Sequence, residues 1–158
     1  MTSVYISGSL RHIPREWWDI YEKIGKVVED FGLKAYIPHV HTPQNVNHTI
    51  EHIMSSDDDL SDGVHKDIFH NDILHVENSK LVIAEVSNPS TGSGIELGVA
   101  IKIGKPIICL AKKDAVVTSL VRGAAQSGLI HMIRYETGED ALQQLKILLE
   151  TKFKSLIE

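Results

Sequence analysis

The run from Leu81 to Ala100, LVIAEVSNPSTGSGIELGVA, constrains this chain more than any other part of it. An apolar strand (Leu81 to Val86) breaks at Asn88-Pro89, passes two glycines, Gly92 and Gly94, and restarts as a helix. Glu96 is expected in the first turn of that helix. A strand that feeds a glycine-rich loop and then a helix N-terminus is how α/β folds build anion sites. Free backbone N–H groups gather there, and the helix dipole favours negative charge. A carboxylate in that turn is then either a helix-stabilising residue or a reactive group set beside a bound phosphate.

The same alternation extends along the chain. Strands are expected at Val4 to Ser7, Leu33 to Ile37, Leu81 to Val86, Pro106 to Leu110 and Leu129 to Ile133. Helices are expected at Arg15 to Phe31, Val64 to Glu77, Gly94 to Ile103 and Val116 to Gln126, with a closing amphipathic helix from Glu139 to Leu156. Between His39 and about Gly63 lies a long polar stretch with no assigned element. Near-continuous apolar strands separated by helices imply a parallel sheet covered on both faces. The pattern predicts one α/β domain over residues 1–158, a flavodoxin/Rossmann-like three-layer sandwich with strand order 2-1-3-4-5. In that order strands 1 and 3 are neighbours whose crossovers leave in opposite directions, and a ligand belongs in the crevice at their carboxyl ends.

Two loops meet there. In the first, Gly8 allows close backbone approach, Ser9 can donate, and Arg11 can grip a phosphate with two parallel bonds. In the second, Ser90, Gly92, Ser93 and Gly94 are small enough to admit a phosphate or a sugar. Taken singly, each loop also reads as an ordinary strand-to-helix turn. Glu96 gains weight from its apolar neighbours Ile95, Leu97 and Val99 and from its place in the crevice. Asp72, alone, reads as part of a solvated helix face.

The bulk properties exclude some functions. A formal charge of −5, with no basic block, argues against binding of nucleic-acid polymers. The single cysteine, Cys109, cannot form an internal disulfide and is compatible with a reducing cytosol. No leader or spanning segment is visible, so a cytoplasmic protein without membrane contact is expected. His39, His41, His48, His52, His65, His70 and His75, with Asp57 to Asp59, raise the question of a metal. With no HExxH or comparably tight spacing they read as solvated side chains, and no metal is expected.

In order and at compatible spacing, Tyr5-Ile6-Ser7-Gly8-Ser9-Leu10-Arg11, Asp72 ahead of Ala84-Glu85-Val86, Pro89 to Gly98, and Arg122-Gly123-Ala124 resemble the nucleoside 2-deoxyribosyltransferase superfamily. Within it they are most similar to the 2′-deoxynucleoside 5′-monophosphate N-glycosidases. The resemblance implies cleavage of the N-glycosidic bond through a covalent Glu–sugar intermediate, releasing the base and 2-deoxyribose 5-phosphate, without a cofactor. It implies Glu96 as nucleophile and Asp72 as the acid that assists base departure. Tyr5 would lie on the sugar side and His39 near the nucleotide, with Ser9, Arg11, Ser90 and the amides near Gly92 on the phosphate. Thr118, where a serine is more usual, would be donated by the neighbouring subunit of a homodimer. By analogy with retaining glycosidases, two carboxyl groups about 5 Å apart suit such a double displacement.

One position separates the branches of the superfamily. Transferases acting on free nucleosides carry an acidic residue six positions before the nucleophile; here that position is Ser90. A carboxylate would repel a phosphate dianion, whereas a hydroxyl can donate to it. Three other readings stand beside hydrolysis. The first is a transferase that hands the sugar to a second base. The second is a cytokinin-activating phosphoribohydrolase, whose PGGxGTxxE pattern Pro89 to Glu96 fits poorly. The third is a nucleotide sensor without turnover, which would have no need of Glu96 and Asp72 together.

Overall fold

The computed structural model describes residues 3–55 and 62–158. Asp57 to Asp59, considered above for a metal, lie outside the described residues. Five strands form one all-parallel sheet, β1 (Ser3–Gly8), β2 (Lys34–Tyr36), β3 (Leu81–Glu85), β4 (Ile107–Lys112) and β5 (His131–Tyr135), in the order β2-β1-β3-β4-β5. This is the expected order. β1 and β3 run side by side, Val4 opposite Leu81 and Gly8 opposite Glu85, so their carboxyl ends open at one level.

The sheet is buried on both faces, which explains why β3 is apolar from Leu81 to Ala84 rather than alternating. On one face α1 (Glu16–Asp30) and α7 (Gly138–Glu150) cover Val4, Ile6, Ile83, Ile108 and Leu110. On the other, α4 (Val64–Asn78) and α5 (Thr91–Lys102) supply Val76, Leu97 and Ala100 against Tyr5, Val82 and Ala84. The short α6 (Ser119–Gln126) buries none of its residues. Val116, just before it, and Leu120, within it, are 88% and 85% exposed.

Three expectations are corrected. The stretch after His39 is not structureless: it holds α2 (Pro38–Asn45) and α3 (Ile50–Ile53). Pro38 opens α2, where its missing N–H costs nothing. The predicted closing helix breaks into α7 and α8 (Lys154–Ile157). There Thr151 Oγ1 donates back to the Ile147 carbonyl at 2.6 Å, competing with the helical pattern. Finally, α5 starts at Thr91, three residues before the expected start. Ser90 Oγ accepts from Ser93 N at 3.1 Å and makes Ser90 the N-cap, so Gly92, Ser93 and Gly94 belong to the first turn. Glu96 therefore stands in the second turn.

Candidate active site

A cavity of about 490 Å³ opens at the carboxyl ends of β1 and β3. Its lining brings together Gly8, Ser9, Arg11, His39, Asp72, Ser90, Gly92 and Glu96, eight of the ten residues singled out in the sequence. Tyr5 reaches the same place through Glu96. Thr118 does not: it is the N-cap of α6 and lines a neighbouring hollow with Asn88, Val116 and Val121, which shares Pro89, Ser90, Thr91 and Ser93 with the cavity.

Glu96 has both carboxylate oxygens held. Tyr5 donates to Oε1 at 2.8 Å and Ser7 Oγ donates to Oε2 at 2.5 Å. Tyr5 and Ser7 are two apart on β1, so their side chains point to the same face of the strand. That face carries α5, and the register of β1 against β3 sets both hydroxyls under the helix. Burial raises the Glu96 pKa from 4.5 to about 7, against the pull of the Ser7 and Tyr5 hydrogen bonds and with a further push from the Asp72 charge. The dipole of α5 does little to offset this, because its field fades beyond the first turn. Ser7 escaped the sequence reading; its only signal was its position two residues beyond Tyr5.

Asp72, on α4, is not a solvated side chain. Thr42 Oγ1 donates to its Oδ1 at 2.6 Å and Asn71 Nδ2 at 2.9 Å. Burial raises its pKa, with those two hydrogen bonds acting the other way. Since Thr42 gives its proton to Asp72, it must accept from the Tyr36 hydroxyl, 2.9 Å away. Asn71 and Asn45 in turn donate to Tyr36 at 2.6 and 3.3 Å. This polar network ties α2 to α4, and sequence reasoning missed Tyr36, Thr42 and Asn45 because no periodicity marks them.

The same cavity is also lined by hydrogen-bond donors. The Ser90 hydroxyl oxygen accepts from Ser93 N, which leaves its own proton free for a ligand. The amides at the start of α5 lack intrahelical partners. A Cβ on Gly92 would meet only Ser90 Oγ, at 3.9 Å, so the protein itself does not demand glycine there. Gly8 is different. A Cβ at Gly8 would lie 2.4 to 2.8 Å from the Tyr21 ring, so packing of that ring requires the glycine, beyond any ligand approach. Tyr21 then donates to the Ser9 carbonyl at 2.7 Å and fixes the loop. Arg11 faces the cavity while giving Nη2 to the Ile53 carbonyl at 2.9 Å and Nη1 to that of Met54 at 3.5 Å.

The histidines also depart from expectation. His39 is only 6% exposed at its side chain, packed against Trp18 with Nε2 3.3 Å from Glu22. Its Nδ1 is buried without a partner, beside the cavity. His41 Nδ1 bonds the Ile37 backbone, and His75 stacks on Tyr36 at 3.7 Å. One further carboxyl group, Glu85, is buried at the end of β3. It accepts from Ser87 N and Oγ and from the Tyr135 hydroxyl, which braces the turn leading to Ser90.

A doubly wound sheet with a carboxyl-rich, donor-walled cavity at its switch point defines an α/β protein built to take a small polar ligand. The chain belongs to the nucleoside 2-deoxyribosyltransferase family, whose sequence profile matches residues 4–144. It is 32% identical over 161 residues to the 5-hydroxymethyl-dUMP N-hydrolase of Danio rerio, covering 98% of this chain and 97% of that one. It is 28% identical over 145 residues to a putative 2′-deoxynucleoside 5′-phosphate N-hydrolase 1 of Methanosarcina mazei, covering 92% and 81%. Among solved structures, the Clostridium botulinum CMP N-glycosidase BcmB superposes with a TM-score of 0.64 at 23% identity, over 94% of this chain and all of that one. That last likeness is one of fold.

Proposed function

We propose that this protein hydrolyses the N-glycosidic bond of 2′-deoxynucleoside 5′-monophosphates, giving the free base and 2-deoxyribose 5-phosphate. The observation that carries the reading is Glu96, held at both oxygens by Tyr5 and Ser7 in a cavity also lined by Ser9, Arg11, Asp72 and Ser90. Relatives named for the same class of hydrolysis support it.

In the first step an electron pair of the Glu96 carboxylate forms a bond to C1′ as the C1′–N bond breaks, through an oxocarbenium-like transition state. Asp72, with its pKa raised by burial, gives the departing base its proton. In the second step water attacks C1′, Asp72 takes up the water proton, and Glu96 leaves as the carboxylate. Tyr5 and Ser7 hold that leaving carboxylate in place. The Ser90 hydroxyl, the first amides of α5, Ser9 and Arg11 receive the 5′-phosphate. The buried, unpartnered Nδ1 of His39 offers a polar contact to the bound nucleotide.

We further propose a homodimer. Val116 and Leu120 present an apolar surface next to Thr118, and α6 packs on the core only through partly buried Val121, Ala124 and Ala125. A second copy packed there would cover this surface and bring Thr118 to its neighbour's cavity. Among the described residues no helix is long and apolar enough to cross a membrane.

The test is incubation with deoxynucleoside and ribonucleoside monophosphates, 5-hydroxymethyl-dUMP among them, with and without an acceptor base, followed by chromatography of the bases. Hydrolysis predicts free base from deoxynucleotides and no exchange. Faster passage of the sugar to an added base than to water, with free deoxynucleosides preferred, would make the protein a transferase.

A further inference from the structure

We propose that His48, His52 and Asp62 form a binding site for one divalent transition-metal ion of the zinc type, which staples the segment leading into α3 to the start of α4. The site is separate from the Glu96 cavity and does not depend on the proposed reaction.

The geometry is that of a half-built coordination shell. His48 and His52 are four apart, a spacing common between zinc-binding histidines. Their rings stack at 4.8 Å with planes 15° apart. Both Nε2 atoms converge on one oxygen, Asp62 Oδ2, at 3.9 and 2.8 Å, and all three ligand atoms lie within 4.8 Å of one another. Zinc bonds of about 2.1 Å in a tetrahedron separate ligand atoms by about 3.4 Å, within this spread. Hydrogen bonding accounts for only one of the two histidines, since 3.9 Å is too long for such a bond. Two imidazoles and a carboxylate select zinc, cobalt or nickel over magnesium and calcium. The three side chains keep some exposure, which leaves a fourth position for water.

The backbone under each ligand is pinned without any ion. His48 N donates to the Pro43 carbonyl at 3.0 Å, following Asn47 in the left-handed region at φ 58°. Thr49 caps α3 by accepting from His52 N at 3.1 Å. Asp62 Oδ1 accepts from Val64 N at 3.1 Å, so its Oδ2 is the oxygen turned to the imidazoles. Ligands oriented by such outer bonds lose less freedom on binding. A metal here closes the chain between His52 and Asp62, where α3 buries only Ile53.

The experiment titrates chelator-stripped protein at neutral pH with zinc against a chromophoric competitor. Wild type is compared with His48→Ala/His52→Ala, Asp62→Asn and a control, His70→Ala, which alters an exposed histidine of α4 outside the cluster. Wild type and control should bind one ion per chain and melt several degrees higher with zinc. The double variant should bind at least about 100-fold more weakly, and Asp62→Asn at least about 10-fold more weakly. Neither should gain thermal stability from zinc, while circular dichroism shows their fold intact without it. Equal zinc affinity in wild type and the double variant, the absence of one-to-one binding, or equal competition by magnesium would overturn the proposal.

Discussion

Removing the Ser7 hydroxyl should move the pH dependence of turnover in a direction set by the geometry around Glu96. If Glu96 attacks C1′ as proposed, it must be ionised to do so, and activity should rise as pH passes through about 7. Ser7 donates to Oε2 at 2.5 Å and favours the ionised form. A hydrogen bond to a charged group is worth about 1.5–3 kcal/mol, and one pKa unit is about 1.4 kcal/mol. Ser7→Ala should therefore shift the rising limb alkaline by about 1 to 2 units. Ser7→Cys, nearly isosteric but a weak donor, should fall between wild type and Ser7→Ala. The assay is release of free base at saturating substrate from about pH 5 to about pH 9.5, a window spanning both limbs. The substrate phosphate has its own ionisation near pH 6, common to all three proteins and thus absent from the differences. A limb that stays in place while the maximal rate falls would refute the account, because it would mean Ser7 does not act on the ionisation of Glu96.

Other outcomes follow from the same site. Glu96→Gln should abolish nearly all base release while leaving the fold intact; more than a few per cent of the wild-type rate would remove Glu96 from the covalent step. The same variant should gain stability over wild type as pH rises. A folded-state pKa of about 7 against 4.5 means the folded protein holds a proton that the unfolded chain gives up. Wild type then loses up to about 3 kcal/mol between pH 4.5 and 7, and the glutamine does not; parallel melting curves would contradict this. Asp72→Asn should lower turnover about 10²–10⁴-fold, the usual worth of acid–base assistance, with unchanged rates returning Asp72 to a structural part. Ser90→Asp keeps an N-cap for α5 but puts a carboxylate on the phosphate wall. It should harm monophosphate cleavage far more than any action on free deoxynucleosides, and equal losses on both would displace the phosphate from that wall.

The parts legible in the sequence were those governed by periodicity and by chain order. Apolar runs gave the parallel sheet and its order, and the order gave the switch point at which Arg11, Ser90 and Glu96 meet. The segment after His39 was illegible for a physical reason. α2 contains Pro43 and has no apolar stripe, and it is fixed by the bonds of Thr42 and Asn45 to Tyr36 and Asp72, which no local pattern encodes. The start of α5 was misplaced because its two glycines read as loop, whereas Ser90 caps the helix before them. That shift of three residues matters for the chemistry. In the first turn the dipole would have favoured an ionised Glu96; in the second turn burial prevails.

The two carboxyl groups are both pushed up by burial, yet they are equipped differently. Glu96 accepts on both oxygens from hydroxyls of a rigid central strand, and Asp72 accepts on Oδ1 alone, from α2 and from its own helix. A carboxylate held at both oxygens suits a group that must form and break a bond to one carbon without rotating. A carboxyl with one oxygen tied has the other left to hold or release a proton. The Asp72 charge is one of the causes that raise the Glu96 pKa, so an ionised Glu96, as the proposed first step needs, is favoured when Asp72 is the protonated member of the pair. In the proposed reaction Glu96 loses its charge on becoming an ester, so no charge on it then opposes the ionisation of Asp72. Asp72, having given its proton to the base in that scheme, is then a carboxylate able to take a proton from the incoming water. Under the proposed mechanism the second step thus inherits its base from the first.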